Sequence, residues 1–451
     1  MKYDLRYKFR EVLDMVNLKK KGIYIVPLAI FSSSVFAIDL TKDVKVNIEL
    51  RPRYEYVDVN NSTNKEANAL TIRIRTGITF KSLFNVNNLD FLFEPWVVTG
   101  IVKDYAPEKS GYELVPDPEQ VRINQAFLSY KSGLFRLKIG RQIITFDNHR
   151  FIGHVGWRQM AQTFDAVRFD FNPMKELNIT AVYIAAKTGV LDEKKELGDG
   201  AAWAFAANTT NIGDDVAGND SLLFHASYKY KPLGVNFTAY AYLLNGMHDT
   251  YGLKVNGAPK IMENFSLGFW AEYAYQKDPT FTSHENGNKN IGASYYYLSL
   301  KPTYSTSYGK VFLELGYEFL EGADDNETHG FTTPWATLHA HNGWADVFLV
   351  YTGTSNKYGL EDTRVGLGFV NKTIGNIRAR YHWFSADKSF TGGGDKFGTE
   401  LDIVYTKKIF KNLAFGAKAA LYNADDEAKK VGIGDRDVTK YWVWLTYKWS
   451  K

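Results

Sequence analysis

The sequence predicts an all-β protein, a transmembrane antiparallel β-barrel of about 18 strands, and three observations support this fold class. Apolar and polar residues alternate with a period of two in one segment after another. The connections between these segments alternate between short and long. After residue 37, no apolar run is long enough for a transmembrane helix, which needs about 20 residues.

The alternation is clearest in residues 44–57, VKVNIELRPRYEYV. Val46, Ile48 and Leu50 fall on one face, whereas Lys45 and Glu49 fall on the other, because successive side chains of a strand point to opposite faces. In a soluble sandwich the apolar face would meet a core. In an outer-membrane barrel it meets lipid, and the charged face lines the lumen.

The connections divide the chain into strands. Short turns such as 131–133 and 231–234 alternate with long loops such as 146–162 and 321–358. Outer-membrane barrels are built in this way, with short periplasmic turns and long outer loops. The count could also be 16, whereas a soluble sandwich of this many strands would be unusually large. The predicted strands are 44–57, 69–81, 89–102, 120–130, 134–145, 163–171, 176–187, 221–230, 235–245, 250–257, 264–277, 291–303, 309–320, 359–370, 376–386, 398–407, 412–422 and 439–449.

The amino-terminal segment, residues 1–37, has the pattern of a secretory signal peptide. Lys19, Lys20 and Lys21 precede an apolar stretch, and Val35-Phe36-Ala37 resembles a cleavage site. The acidic residues before Met15 are unusual in a signal peptide, so we expect translation to start at Met15. Residues 38–451 then form a single barrel domain in the outer membrane of a Gram-negative cell.

Composition excludes several other classes of function. A net charge of +4 is too balanced for a nucleic-acid-binding protein. The chain has no cysteine, so it has neither disulfides nor thiolate metal sites. No G-x-S-x-G or H-E-x-x-H motif occurs, and we expect neither enzymatic activity nor a cofactor. His339 and His341 could share a strand face and bind a metal, but a polar loop is the preferred interpretation, and we predict no metal.

Residues 139–169, IGRQIITFDNHRFIGHVGWRQMAQTFDAVRF, resemble the alginate export family of outer-membrane porins. The segments RPRYE (51–55) and TIRIRTG (71–77) are similar to further parts of that family. The resemblance implies a barrel of 18 strands with an electropositive constriction that passes an anionic polysaccharide outward. It also implies an anionic solute and the lipid bilayer as partners. A periplasmic export scaffold is possible, and we expect a monomer.

The alternation itself supplies candidate residues for the lumen, because it assigns each charged residue to a face. Arginine pairs with carboxylates through two parallel hydrogen bonds and stays charged, which suits an anionic solute. Sugar rings could stack on Trp96, Trp270, Tyr240 or Tyr242. Three residues are predicted to anchor loops, namely Arg141, Arg150 and Trp157. The predicted pore-lining residues are Arg51, Arg53, Arg73, Arg75, Arg136, Lys138, Arg168, Arg378, Arg380 and Lys418.

The sequence therefore predicts an anion-selective outer-membrane channel that passively exports an anionic polysaccharide such as alginate. One alternative is a general or small-anion uptake porin. Another, from a different class, is a surface adhesion or binding barrel that acts through its loops. For any single charged residue, pairing across the barrel wall is the preferred interpretation. A pore-lining role is preferred only for a group taken as a whole, namely Arg53, Arg73, Arg75, Arg136 and Lys138.

Overall fold

A computed structural model describes residues 41–191, 219–281 and 290–451. Within these ranges, 19 antiparallel strands form one sheet, which closes because β1 pairs with both β2 and β19. Eighteen strands form the barrel wall, and the three-residue strand β11 extends the turn between β10 and β12. The predicted barrel of 18 strands is confirmed. The predicted signal peptide lies outside the described residues.

The strand bounds follow the alternation closely. The segment 309–320, for example, is predicted and observed as Gly309–Leu320, whereas 291–303 is observed as Gly292–Thr306. The wall strands are β1 (Asp43–Val59), β2 (Ala67–Lys81), β3 (Leu89–Asp104), β4 (Gln120–Ser132), β5 (Phe135–Gln142), β6 (Thr163–Met174), β7 (Leu177–Thr188), β8 (Ser221–Tyr230), β9 (Val235–Leu244), β10 (His248–Gly257), β12 (Phe265–Lys277), β13 (Gly292–Thr306), β14 (Gly309–Leu320), β15 (Leu360–Asn371), β16 (Gly375–Ser385), β17 (Lys396–Phe410), β18 (Leu413–Ala424) and β19 (Val438–Ser450), and β11 is Lys260–Met262.

The two faces of β1 differ as the alternation predicts. Ile48 and Leu50 point outward and are 36% and 39% exposed. Arg51 and Arg53 point into the barrel and are 8% and 1% exposed. A barrel that exposes apolar side chains on its outside and buries charged side chains inside fits a lipid bilayer.

Two outer loops fold into the barrel instead of standing above it. These are the β5–β6 loop (143–162) and the β14–β15 loop (321–359), which contains a six-residue helix, Leu349–Thr354. In the described part of the chain, no helix is long and apolar enough to cross a membrane.

The hydrophobic core therefore lies inside the barrel, between these loops and the wall. Phe146 of the β5–β6 loop stacks on Tyr242 of β9 with 5.8 Å between ring centroids. Phe348 of the β14–β15 loop packs against Phe384 of β16. Gly416 of β18 makes room for a ring of the wall, the indole of Trp444 on β19. A Cβ at Gly416 would lie 2.1 Å from that indole.

Candidate functional site in the barrel lumen

Two arginines on neighbouring strands hold the backbone of the β5–β6 loop. Arg51 donates from Nη1 to the carbonyl oxygen of Gly156 at 3.3 Å. Its Nη2 donates to the carbonyl oxygens of Trp157 and Arg158 at 2.9 and 2.6 Å. Arg73 donates to the same carbonyl of Arg158 at 3.2 Å. These predicted pore-lining residues are thus in the lumen, but the loop covers them.

A buried network of ion pairs ties two loops to β1. Arg53 pairs with Glu55 at 3.1 Å and also with Asp117 of the β3–β4 loop. Arg158 of the β5–β6 loop donates from Nη1 to Oε1 of Glu55 at 2.9 Å. All four side chains are at most 2% exposed. Because these opposite charges are paired and hydrogen-bonded, the cost of burying them away from bulk water is offset.

Asp346 connects the β14–β15 loop to the same network. Its Oδ2 accepts hydrogen bonds from Arg158 at 2.9 Å and from Lys440 of β19 at 3.1 Å, and its Oδ1 contacts Nδ1 of His339. Burial alone would raise the pKa of Asp346, but His339, Lys440 and Arg158 hold that pKa well below its usual range. Asp346 is therefore a stable anion that holds both loops to β19.

Burial lowers the pKa of His339 to about 3, although Asp346 opposes this change. His339 is therefore neutral near neutral pH, so its Nδ1 carries the proton that it donates to Asp346. Its Nε2 is then free to accept a hydrogen bond from Lys418 of β18. His339 and His341 lie in the β14–β15 loop and not on a strand face, and in the described ranges no group of three or more His, Asp or Glu side chains could hold a metal ion.

The ring of Trp157 lies at the centre of an aromatic cluster. It stacks on His339 with 5.0 Å between centroids and an angle of 6° between the planes. It meets the edges of Trp442 and Trp444 at 5.9 and 5.1 Å. The Nζ of Lys418, another predicted pore-lining residue, lies 3.4 Å from the Trp157 centroid and is buried. These contacts hold the ring of Trp157 between the β14–β15 loop and strands β18 and β19.

Arg150, also predicted as an anchor, joins the two inserted loops to the wall. Its Nε lies 2.8 Å from Oε1 of Glu318 on β14. Its Nη2 donates to Oδ1 of Asn342 in the β14–β15 loop at 3.0 Å, and the side chain is fully buried.

Arg141, the third predicted anchor, lies elsewhere. It pairs with Asp165 of β6 through two hydrogen bonds of 2.8 Å. The pairing of β5 with β4 and β6 continues past Gly140 without a register shift, so Arg141 stays in the outward phase. The carboxylate that binds Arg141 therefore belongs to the wall and not to the β5–β6 loop, and the pair joins two strands.

The remaining predicted pore-lining residues lie in the periplasmic vestibule, which we define as the half of the lumen between the β5–β6 loop and the short turns. Three of them have a carboxylate partner: Arg75 pairs with Glu94 at 2.7 Å, Arg168 with Asp170 at 2.8 Å and Arg380 with Glu314 at 2.7 Å. Among the described residues, three others form no ion pair within 4.0 Å, namely Arg136, Lys138 and Arg378.

Sequence reasoning missed several residues of the lumen. Lys301 of β13 points inward and also lacks an ion pair within the described ranges. Trp442 and Trp444 point inward, but β19 carries aromatic residues on both faces, so polarity could not assign its phase. Asp117 and Asp346 lie in loops, where alternation gives no signal.

The residues proposed for stacking on sugar rings are mostly covered. Tyr240 and Tyr242 are buried beneath Phe151, and Trp96 is 2% exposed beneath the guanidinium of Arg73. Trp270 of β12 remains partly exposed, and Lys254 lies 4.6 Å from its ring centroid.

A closed barrel with an apolar outside and a charged inside defines an outer-membrane protein of the porin class. The family described as alginate export matches residues 44–391, which is most of the chain. The chain belongs to this family, and it is located in the outer membrane. No curated protein matches the chain by sequence.

Solved structures show the same fold at low sequence identity. Acinetobacter baumannii OccAB4 superposes with a TM-score of 0.65 at 11% identity, over 91% of this chain and 99% of that chain. Acinetobacter baumannii OccAB3 gives 0.66 at 13% identity, over 90% and 100%. Pseudomonas aeruginosa OpdK with vanillate gives 0.64 at 11% identity, over 91% and 100%.

Proposed function

We propose that this protein is an anion-selective channel through which an anionic solute crosses the outer membrane passively, without a catalytic step. The observation that carries the proposal is the set of vestibule cations without an ion pair in the described ranges, Arg136, Lys138, Lys301 and Arg378. Rings of arginine and lysine select anions, and several modest sites allow a solute to leave as well as enter. We propose that the channel works as a monomer, since one chain closes the barrel and needs no second subunit to complete its wall.

The proposed solute is an anionic polysaccharide such as alginate, moving outward, and family membership supports it. A polymer can pass only if the β5–β6 and β14–β15 loops withdraw, because both are packed against the wall inside the barrel. A periplasmic export scaffold is the partner that would deliver such a polymer.

A second candidate, a small-anion porin, is favoured by one specific observation. Arg150, Arg158 and Asp346 fix the two inserted loops to the wall through buried ion pairs. Loops held in this way stay inside the lumen during transport, which suits a solute the size of one sugar acid better than a chain.

The reversal potential of single channels in a planar bilayer under a KCl gradient tests anion selectivity. We expect a reversal potential displaced toward that of chloride, whereas a cation-selective channel would contradict the proposal. Absence of conductance would instead support a barrel that acts through its loops.

The same bilayer distinguishes the two solutes. Polyuronate that blocks and then crosses the channel supports polymer export. Galacturonate that crosses while polyuronate only blocks from one side supports the small-anion porin.

A further inference from the structure

Arg51 differs from the other buried arginines of the lumen because its partners are all neutral. Its Nε donates to Oε1 of Gln159 at 3.0 Å, and its other donors bind the carbonyl oxygens of residues 156–158. Among the described residues, no carboxylate lies within 4.0 Å of its guanidinium. A buried cation without an anionic partner is costly, so this position favours an added anion.

A second cation lies beside Arg51. Arg73 is its direct partner across the β1–β2 ladder, and like charges in such positions repel each other. Arg73 pairs with Glu49, which also faces Lys448 at 3.4 Å. Of the two arginines, only Arg73 is thus in direct contact with Glu49, whereas Asp117 and Glu49 act on Arg51 from a longer distance. Carbonyl groups of the loop supply the remaining acceptors of both arginines.

We propose that Arg51 and Arg73 form a carboxylate-binding site that loop residues 156–158 occupy in this structure, and that a solute carboxylate displaces this segment. The inference rests on the proposed anion channel and adds its regulation. A carboxylate accepts two parallel hydrogen bonds from arginine and binds about twice as strongly as a neutral acceptor. Residues 156–158 therefore compete with the solute carboxylate for the two guanidinium groups, and the carboxylate displaces them when it binds.

The vestibule gives the anion a route to this site. Two cations lie on its periplasmic side, Arg75, whose side chain is 35% exposed, and Lys448, whose side chain is 70% exposed. A carboxylate that reaches them is adjacent to Arg73, because Arg75 is two residues farther along the same face of β2.

A single cysteine can report displacement of the loop, because the chain has none of its own. Met160 is 1% exposed, follows the 156–158 segment and packs beside Trp96. We expect galacturonate to accelerate labelling of Met160→Cys by a methanethiosulfonate reagent about tenfold, from the difference between charged and neutral hydrogen bonds. Galactose, the neutral control, should leave the rate unchanged.

Two control variants show whether the effect comes from this site. Thr238 of β9 is buried, and its Oγ1 makes no hydrogen bond in the described part of the chain. The labelling rate of Thr238→Cys should therefore be the same with and without galacturonate. In the Met160→Cys background, Arg51→Gln should abolish the acceleration. Lys229→Gln, an equal charge change on β8, should preserve it.

A reversible cross-link provides a second test if Arg51→Gln does not fold. Gln159 donates from Nε2, at the end of its side chain, to Oγ1 of Thr71 at 2.9 Å. Two cysteines at these positions are too far apart for a direct disulfide, but a short bis-methanethiosulfonate reagent should join Thr71→Cys to Gln159→Cys and fix the loop to β2. We expect galacturonate to leave the cross-linked channel unchanged and to open the channel after reduction of the cross-link. Equal responses before and after reduction would overturn the inference.

The outcomes separate this inference from the proposed function. If the channel is anion-selective but galacturonate does not change the labelling rate, the proposed displacement of the loop is wrong and the proposed anion channel stands. A channel without anion selectivity overturns the proposed function, and this inference falls with it.

Discussion

The outer half of the lumen and the periplasmic vestibule contain cations in the same inward phase, but their partners differ. Arg53 of β1 is buried and binds the carboxylates of Glu55 and Asp117. Arg136 and Lys138, on the vestibule wall, have no ion pair in the described ranges. The comparison teaches that alternation assigns a charged residue to a face, whereas its partners decide whether it holds structure or meets solute.

The energetic consequences of these two environments also differ. Removing one partner of a buried ion pair leaves an uncompensated charge and costs about 3–5 kcal/mol. Removing an exposed charge with no partner changes stability by less than about 0.5 kcal/mol. Substitutions in the outer half should therefore affect stability first, and substitutions in the vestibule should affect selectivity first.

The largest effect is expected for Arg158→Gln, because Arg158 pairs with Glu55, Asp117 and Asp346. We predict a free energy of unfolding lower by about 3–5 kcal/mol and a larger, noisier single-channel current as the β5–β6 loop loosens. Urea titration and bilayer recording measure the two effects. Arg136→Gln is the matched control, and equal destabilisation by both variants would contradict the comparison.

Trp157→Ala should have the next largest effect. The substitution removes the ring that His339, Trp442 and Trp444 contact, and we predict a loss of about 2–4 kcal/mol because the ring is only partly buried. Thermal unfolding of the folded barrel measures this loss, and Trp157→Phe should recover part of it. An unchanged unfolding temperature would show that ion pairs alone hold the loop.

Acidification should loosen the outer half at pH values where carboxylates are still ionised. The pKa of His339 is about 3 in the folded protein and about 6.5 when unfolded, so the unfolded chain binds more protons in this interval. This contribution to the free energy of unfolding is fully present above pH 6.5 and is lost as the pH falls toward 3. About 2 kcal/mol of it has been lost at pH 5.

The variant His339→Gln tests this assignment, because glutamine can donate to Asp346 and accept from Lys418 without titrating. We expect its stability to depend less steeply on pH between about 6.5 and 5. Identical slopes in the two proteins would assign the effect to another histidine, such as the half-buried His154, whose pKa desolvation lowers to about 4.

The smallest effect concerns salt and belongs to the vestibule alone. The Debye length is about 10 Å at 0.1 M salt and about 3 Å at 1 M. The attraction between exposed cations and a passing anion is therefore screened as the salt concentration rises. We predict that anion preference in the reversal potential weakens at high salt, while the unfolding midpoint changes little. A selectivity independent of salt would point to a buried site instead.

Much of the fold could be predicted from the sequence because the barrel obeys a local rule. Leu50 and Arg51 belong to opposite faces whatever the rest of the chain does, since a strand has a period of two. Short turns and long loops are also visible in the local sequence, so the number of strands and their order around the barrel could be predicted.

The rest of the site could not be predicted because it depends on contacts between distant segments. Arg158 reaches Asp346, which lies 188 positions away, and no periodicity connects two loops. Arg51 was assigned to the lumen, but nothing in its own strand shows that residues 156–158 cover it. Trp442 and Trp444 lie on a strand that is aromatic on both faces, so pattern alone could not orient them.

The most direct test of the central claim is the reversal potential of Arg136→Gln/Lys138→Gln/Arg378→Gln compared with that of the wild-type channel under the same KCl gradient. If vestibule cations without ion pairs select the solute, the potential should move from the chloride side toward zero, while the loss of stability stays below the cost of about 3–5 kcal/mol expected when a buried ion pair is broken. An unchanged anion preference in a folded triple variant would contradict the account and return selectivity to the buried arginines.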